Sequence, residues 1–281
     1  MKTRNGLSLW VYAALAAIVS AGGATSQGAE AQEWKTVYLA ESAEYTQLPL
    51  RFGVEKGFFD QQHLHVQFVA IRDPVVGVAT GNLTLAFGPT GTFLRAAAHG
   101  APIKIISSAF RSKGPYYFIA RPEIKSFADL KGKIVGTAMA GTNMETIAKY
   151  ILRTHGIDPK NDVTLYANGS NQQAYASLLG HQVDATIIHQ PFAALGQLQG
   201  HAVVLVRAWT DLPKTYHTGA LIAADSTIRN DPDVLKRTLR AYFASYAYAK
   251  AHYAEYVPWL EKHLPIDPRA IELSIQQDDV I

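Results

Sequence analysis

The sequence predicts an α/β protein built as two lobes with a cleft between them. Short apolar strands alternate with amphipathic helices from Trp34 to Val206, the pattern of an α/β chain whose sheets are mainly parallel. An internal echo points to two similar halves: Thr80-Gly81-Asn82-Leu83-Thr84-Leu85-Ala86 resembles Leu179-Gly180-His181-Gln182-Val183-Asp184-Ala185, in each case a helix end, a glycine stop and a strand. The composition is that of a folded chain, with 281 residues, 48% of them hydrophobic, and a formal net charge of +3 that is not clustered. Disorder and nucleic-acid binding are therefore not expected. The absence of cysteine excludes disulfides, thiolate metal sites, a cysteine nucleophile and a lipid-attachment cysteine.

The first 31 residues read as a cleavable export signal. Lys2 and Arg4 form a basic head, Leu7 to Val19 is an apolar run broken by Ser8, and Ala29-Glu30-Ala31 fits peptidase cleavage before Gln32. The run is shorter than the ~20 residues that span a bilayer. An exported, periplasmic mature chain of residues 32–281 is expected.

Trp34–Leu39 alternates as a first strand. Tyr45 and Gln47 lie in the polar turn after it, and Leu48-Pro49-Leu50 opens a helix in which proline is tolerated because its missing N–H would have been unpaired. His65–Val69 is a second strand, Pro74–Thr80 a short helix stopped at Gly81, and Leu83–Gly88 a third strand. The turn Pro89-Thr90-Gly91-Thr92 leads to a helix over Phe93–His99. Ile103–Ser108 and Tyr116–Ala120 follow as strands. The pattern then restarts. Ile134–Val135 is a strand and Ala138–Gly141 a loop of small residues. Thr142 or Asn143 caps a helix running to His155, with Ile147, Tyr150 and Ile151 on one face. Asp162–Tyr166, Val183–Ile188 and Ala202–Val206 are strands, separated by helices over Gln172–Leu179 and Pro191–Gln199. Beyond Asp225 the chain turns helical, with a helix from Asp231-Pro232-Asp233, a second near Ala254–His263 and a third after Pro268.

A strand feeding a helix through a small-residue loop leaves backbone N–H groups and the positive end of the helix dipole facing a cleft, which suits an anionic or hydrogen-bond-accepting guest. Two such places stand out, at Thr90, Gly91 and Thr92 and at Gly141, Thr142 and Asn143. The same threonines and asparagine also suit plain helix caps. Gln47, which follows the first strand, joins Asn168 and His189, which follow later strands, in a polar ring; Tyr45, Phe110 and Tyr216 supply either aromatic walls or packing. No arginine is clearly placed to grip a charge. No Gly-x-Ser-x-Gly, phosphate-loop or dinucleotide glycine motif is present, and no metal-ligand spacing, so neither catalysis nor a cofactor or metal is expected.

Four segments in order carry a family resemblance. Val54-Glu55-Lys56-Gly57-Phe58-Phe59-Asp60 followed by Leu64-His65-Val66, the Asp129-Leu130-Lys131-Gly132-Lys133 run, Gly180-His181-Gln182-Val183-Asp184-Ala185 with Gln190-Pro191, and Asn230-Asp231-Pro232-Asp233-Val234 are similar to periplasmic substrate-binding proteins of ABC importers. Within these the chain most resembles the NMT1/THI5-like group that takes sulfonates, taurine and pyrimidine precursors. The resemblance implies the type II binding-protein fold, with residues 32–112 and 218–281 as one lobe and 113–217 as the other. The hinge is expected near Phe110–Tyr117 and Tyr216–Ala220. It also implies a small-molecule ligand, partnership with a membrane permease and ATPase, and a monomer. The same cleft would serve a sensing partner of a membrane receptor. The enzymatic branch of the group carries a cysteine-rich motif that this chain lacks. His63 stands where the group usually has glycine, which asks a histidine to take a left-handed backbone, and Thr84 where an aspartate is common.

Overall fold

The computed structural model describes residues 33–42, 44–111, 114 and 116–277, without the side chains of Phe110 and Arg111. The expected export signal lies outside these residues. Along the chain, β1 (Lys35–Ala40), α1 (Leu48–Glu55), β2 (Leu64–Val69), α2 (Pro74–Ala79), β3 (Ala86–Pro89), α3 (Thr90–Ala98) and β4 (Ile103–Arg111) build the first lobe. The second holds β5 (Tyr116–Ala120), β6 (Ile134–Gly136), α4 (Asn143–Thr154), β7 (Thr164–Tyr166), α5 (Asn171–Leu179), β8 (Ala185–His189), α6 (Phe192–Leu198), β9 (Val203–Arg207) and α7 (Ala208–Asp211). The chain then returns through β10 (His217–Ala224) to α8 (Asp225–Asn230), α9 (Pro232–Ala251), α10 (Tyr253–His263) and α11 (Pro268–Gln277). No described helix is long and apolar enough to cross a membrane.

The strands form a pair β1–β2, a sheet in the order β3-β10-β4 and a sheet in the order β7-β6-β8-β5-β9. Among the described residues, only β1–β2, β6–β7 and β6–β8 pair in parallel; β10 runs antiparallel to β3 and β4, and β5 to β8 and β9. The expectation of mainly parallel sheets is therefore corrected to mixed ones. The physical reason is topological: β5 and β10 are the strands that enter each sheet from the other lobe, and they arrive pointing the opposite way. They follow the two crossings expected near Phe110–Tyr117 and Tyr216–Ala220, although β10 continues to Ala224.

The middle strands β5 and β10 are covered on both faces, as α/β layering requires. All five residues of β5 are buried. Tyr116, Phe118 and Ala120 join the core under α4 with Ile147 and Ile151, while Tyr117 and Ile119 join the core under α5 with Ala174 and Leu178. This is the two-residue period of a strand packed on two sides. In β10, Leu221 and Ala223 face Leu235 and Tyr242 of α9, and Ala220 and Ile222 face Phe93 of α3. Helix α9 can lie against α1 because residue 53 is glycine: a Cβ there would fall 1.9 Å from Ser245 Oγ.

The internal echo is structural. Asp184 takes the Ile134 N–H on Oδ2 at 2.9 Å and donates its own N–H to the Ile134 carbonyl at 2.8 Å. Thr84 makes the same pair with Tyr38 through Oγ1 (3.0 Å) and N–H (2.9 Å). A threonine hydroxyl thus does in the first lobe what a carboxylate does in the second. His63 adopts the left-handed backbone asked of it, at φ 52°, ψ 46°, with the Trp34 ring stacked over it.

Candidate ligand-binding site

Helix α3 leaves β3 without a loop, so the helix begins three residues before the expected Phe93. Its N-cap is Pro89, which has no side chain able to cap the first-turn N–H groups. Phe93 is fully buried and its ring sits under Gly88, where a Cβ would come within 2.6 Å of it, which fixes the helix against the sheet. Thr90 Oγ1 is buried with no hydrogen-bond partner in the structure. The positive end of α3 therefore opens beside a buried hydroxyl that has hydrogen bonds to give.

Helix α4 is closed more fully by its own residues. Thr142 is the N-cap, accepting from Glu145 N–H at 3.4 Å and donating to the Met139 carbonyl at 2.6 Å. The Glu145 carboxylate pairs with Lys149 at 2.6 Å and takes the Gly141 N–H at 2.6 Å, contacts that hold it below the usual carboxylate range. Asn143 projects from this end and is only 3% exposed. Its Oδ1 accepts from the Tyr216 hydroxyl at 2.5 Å, and its Nδ2 donates to the Tyr116 hydroxyl at 3.4 Å. Burial pushes the Tyr116 phenol up to about 12, so it stays a neutral hydroxyl.

The two helix ends meet. A Cβ on Gly91 would lie 3.4 Å from Asn143 Oδ1, ordinary contact distance, and Arg95 Nη2 donates across to the Gly141 carbonyl at 3.0 Å. The first turn of α3, from one lobe, and the N-terminus of α4, from the other, thus form one surface with Tyr116 and Tyr216 beside it.

Further along, the His189 ring meets Tyr116 edge-on at 4.5 Å between centroids. The His189 N–H donates to Asn171 Oδ1 at 2.9 Å, and Asn171 Nδ2 reaches Glu44 Oε2 at 3.5 Å, another contact between lobes. His189 Nε2 is buried with no partner in the structure, and burial lowers its pKa to about 4. The imidazole is neutral at physiological pH. Packing raises Glu44 above the usual carboxylate value.

A continuous series of contacts therefore gathers Thr90, Gly91, Thr92, Gly141, Thr142, Asn143, Tyr216 and His189. Other expected residues stand elsewhere. Tyr45 is 5% exposed and packs among Leu48, Tyr256 and Ile271, its hydroxyl accepting from Ser274 at 3.3 Å, so it serves as a core residue. Gln47 lines a small recess with Ser42 and Arg51, all of the first lobe. Asn168 stands behind the loop before α4: its Nδ2 donates to Ser177 Oγ and Thr186 Oγ1, both at 3.0 Å, and its Oδ1 takes the Ala138 N–H at 2.9 Å. That amide is occupied in shaping the loop before α4. Phe110 pairs with Gly219 through its backbone, and its side chain lies outside the described residues.

Four participants escaped the sequence reading. Arg95 corrects the expectation that no arginine serves the cleft; its position three residues after Thr92, on the same helix face, was the available signal. Tyr116 was hidden beside Tyr117, because adjacent strand residues face opposite ways and the sequence does not say which faces the cleft. Glu44 and Asn171 acquire their role only when the lobes meet.

A sequence profile described as NMT1/THI5 like matches residues 46–255, three quarters of the chain. The protein belongs to that family. A putative binding protein, YtlA of Bacillus subtilis, is 24% identical to this NMT1/THI5-like protein over 242 residues, spanning 82% of this chain and 71% of YtlA. The alkanesulfonate-binding protein SsuA of Xanthomonas axonopodis pv. citri, bound to MOPS, superposes with a TM-score of 0.73 at 16% identity, over 88% of this chain and 85% of SsuA. The desulfurization enzyme DSZB superposes with a TM-score of 0.63 at 17% identity, over 88% and 86% of the two chains. At these identities the superpositions establish the fold: this family member has the two-lobed periplasmic binding-protein architecture.

Proposed function

We propose that this protein is the solute-binding component of an ABC import system. It takes a small organic anion, or a heteroaromatic compound carrying an acidic group, between its lobes and delivers it to a membrane permease and its ATPase. The observation that carries the reading is the meeting of the uncapped α3 N-terminus with Asn143, Arg95 and the two tyrosine hydroxyls across the lobes. Helix N-terminal donors, a guanidinium and neutral hydroxyls all stabilise a negative oxygen, and none abstracts a proton from it. A guest touching both lobes stabilises the closed form by its differential contacts there, and closure is what a permease reads. The binding-protein names of the relatives and the SsuA superposition support the same reading. We place the protein in the periplasm, exported by residues 1–31 and acting as a monomer, with residues 32–112 and 218–281 forming one lobe and 113–217 the other.

Thermal-shift screening of residues 32–281 against sulfonates, aromatic carboxylates and pyrimidines tests the reading. A true guest at a hundredfold excess over its Kd adds about 2.7 kcal/mol of stability. Because a desulfurization enzyme shares the fold, the guest must also be recovered unchanged after incubation. Stabilisation by no acid in the panel, or conversion of the guest, refutes the proposal.

A further inference from the structure

The lobes touch along two flanks that are built differently. Helices α4 and α6 cover opposite faces of the second sheet, α4 over Phe118 and α6 over Tyr117. The α3–α4 contact therefore lies on one flank of the site, and a contact with α6 lies on the other. On the α4 flank two helix ends meet, and the reach of Arg95 to the Gly141 carbonyl is open to water. On the α6 flank, α11 lies alongside α6.

Helix α11 is held by both lobes at once. Towards the first lobe, Ile271 is fully buried in the core with Tyr45, Leu48, Tyr256 and Leu260, and Ser274 Oγ donates to the Tyr45 hydroxyl at 3.3 Å. Towards the second, the Gln277 amide is engaged at both ends: its Nε2 donates to Gln197 Oε1 at 2.9 Å, and its Oε1 accepts from Gln190 Nε2 at 3.2 Å. Gln190 is 2% exposed and its own Oε1 takes the Ala194 N–H at 3.0 Å, so the group that receives Gln277 is itself fixed. The last described turn of α11 carries no basic residue. Arg207 of β9 donates to the Gln277 carbonyl at 3.5 Å, which sets a cation from the other lobe at the negative end of the helix. Water replaces an exposed guanidinium–carbonyl bond at little net cost, whereas parting α11 from α6 gives up side-by-side helix packing and three polar contacts together.

Resting on the reading of capture by closure above, we propose that α11 is the pivot of that motion: it stays seated on both lobes while they part along the α3–α4 flank alone. A contact kept in the open and the closed form shifts no equilibrium between them. The pivot therefore sets the direction of opening and leaves the affinity to the α3–α4 flank.

Pairs of spin labels in the guest-free mature protein test the pivot, and because the chain has no cysteine only the introduced thiols react. Leu198→Cys with Gln276→Cys reports the α6–α11 flank, and Ala97→Cys with Tyr150→Cys the α3–α4 flank, all four positions being exposed. Pulsed EPR is expected to give one narrow distance for the first pair and a broad distribution for the second. A broad or two-peaked distribution for the α6–α11 pair overturns the pivot and leaves closure standing. Narrow distributions for both pairs remove the opening itself, and closure and pivot fall together. Joining Leu198→Cys to Gln276→Cys with a flexible bis-maleimide gives a second arm. The linked protein is expected to keep the radius of gyration of the unlinked one in scattering without guest. A smaller radius in the linked protein means that α11 leaves α6 on opening, and the pivot is wrong.

Discussion

Replacing Asn143 by aspartate changes one charge and almost no volume at the point where the lobes meet. The new carboxylate still accepts from the Tyr216 hydroxyl, now 2.5 Å from Oδ1, and its second oxygen takes the place of the amide that donates to Tyr116, whose hydroxyl then donates instead. In the unliganded protein two effects oppose each other. The site is 3% exposed, so the charge is desolvated. It also lies at a helix N-terminus, which favours a carboxylate by about 0.3–1 kcal/mol. The unliganded melting temperature is expected to move little. Binding is different. For a guest oxyanion at the α3 first turn taken to lie about 5 Å from the residue-143 carboxylate, like charges repel by about 3 kcal/mol at an effective dielectric of about 20. Solvent in the open cleft screens part of this, leaving a loss between roughly tenfold and a few hundredfold. Calorimetry at pH 7 with an identified acid measures the loss, and the uncharged amide of the same acid serves as control, with its affinity unaffected. Equal affinity of wild type and Asn143→Asp for the acid would falsify the placement of the anion.

Three further outcomes follow from the same geometry. Asn168→Leu removes three buried hydrogen bonds, and the stranded Ala138 N–H alone costs about 1–3 kcal/mol; the urea midpoint should drop with the slope unchanged, and wild-type stability would rule out the scaffold role. Thr84→Val removes the acceptor of the Tyr38 N–H and should cost about 1 kcal/mol in the same assay. Thr84→Asp should cost less, because Asp184 fills the matching place in the other lobe; a larger loss for aspartate than for valine contradicts the equivalence. His189, lowered from 6.5 to about 4 by burial, stays neutral in the folded protein while the unfolded chain takes up its proton. Its contribution is therefore complete above pH 6.5, declines as pH falls towards 4, and is spent below that. The total is about 3–4 kcal/mol at about 1.4 kcal/mol per pH unit. In His189→Asn the decline between pH 6.5 and 4 should disappear from denaturation curves; an identical decline in both proteins assigns it elsewhere.

How much of this the sequence carried differs between elements. β5 is found over the residues expected, Tyr116–Ala120, because an unbroken apolar run between turn residues marks a strand buried on both faces. α4 begins at Asn143 as its Thr142 cap announces. β3 is shorter than the apolar run Leu83–Gly88 suggests, since Leu83 and Leu85 are buried by packing ahead of the strand and only Ala86–Pro89 joins the ladder. β10 was legible only where it crosses, because Ala220-Leu221-Ile222-Ala223-Ala224 follows neither a helical nor an alternating period. In the site, residues at helix starts could be read from local rules. Asn168 could not be sorted from its neighbours, because whether an asparagine faces a ligand or the protein depends on Ser177 and Thr186, distant in the chain. The reach of Arg95 to Gly141 likewise exists only after the lobes come together.

Small-angle scattering of the mature protein, with and without an acid proven to bind and to be recovered unchanged, tests the central claim most directly. A guest that bridges Gly91 and Asn143 should draw the lobes together, lowering the radius of gyration in the wild type and less so in Asn143→Asp at equal acid concentration. Identical scattering curves with the cleft saturated would contradict capture by closure.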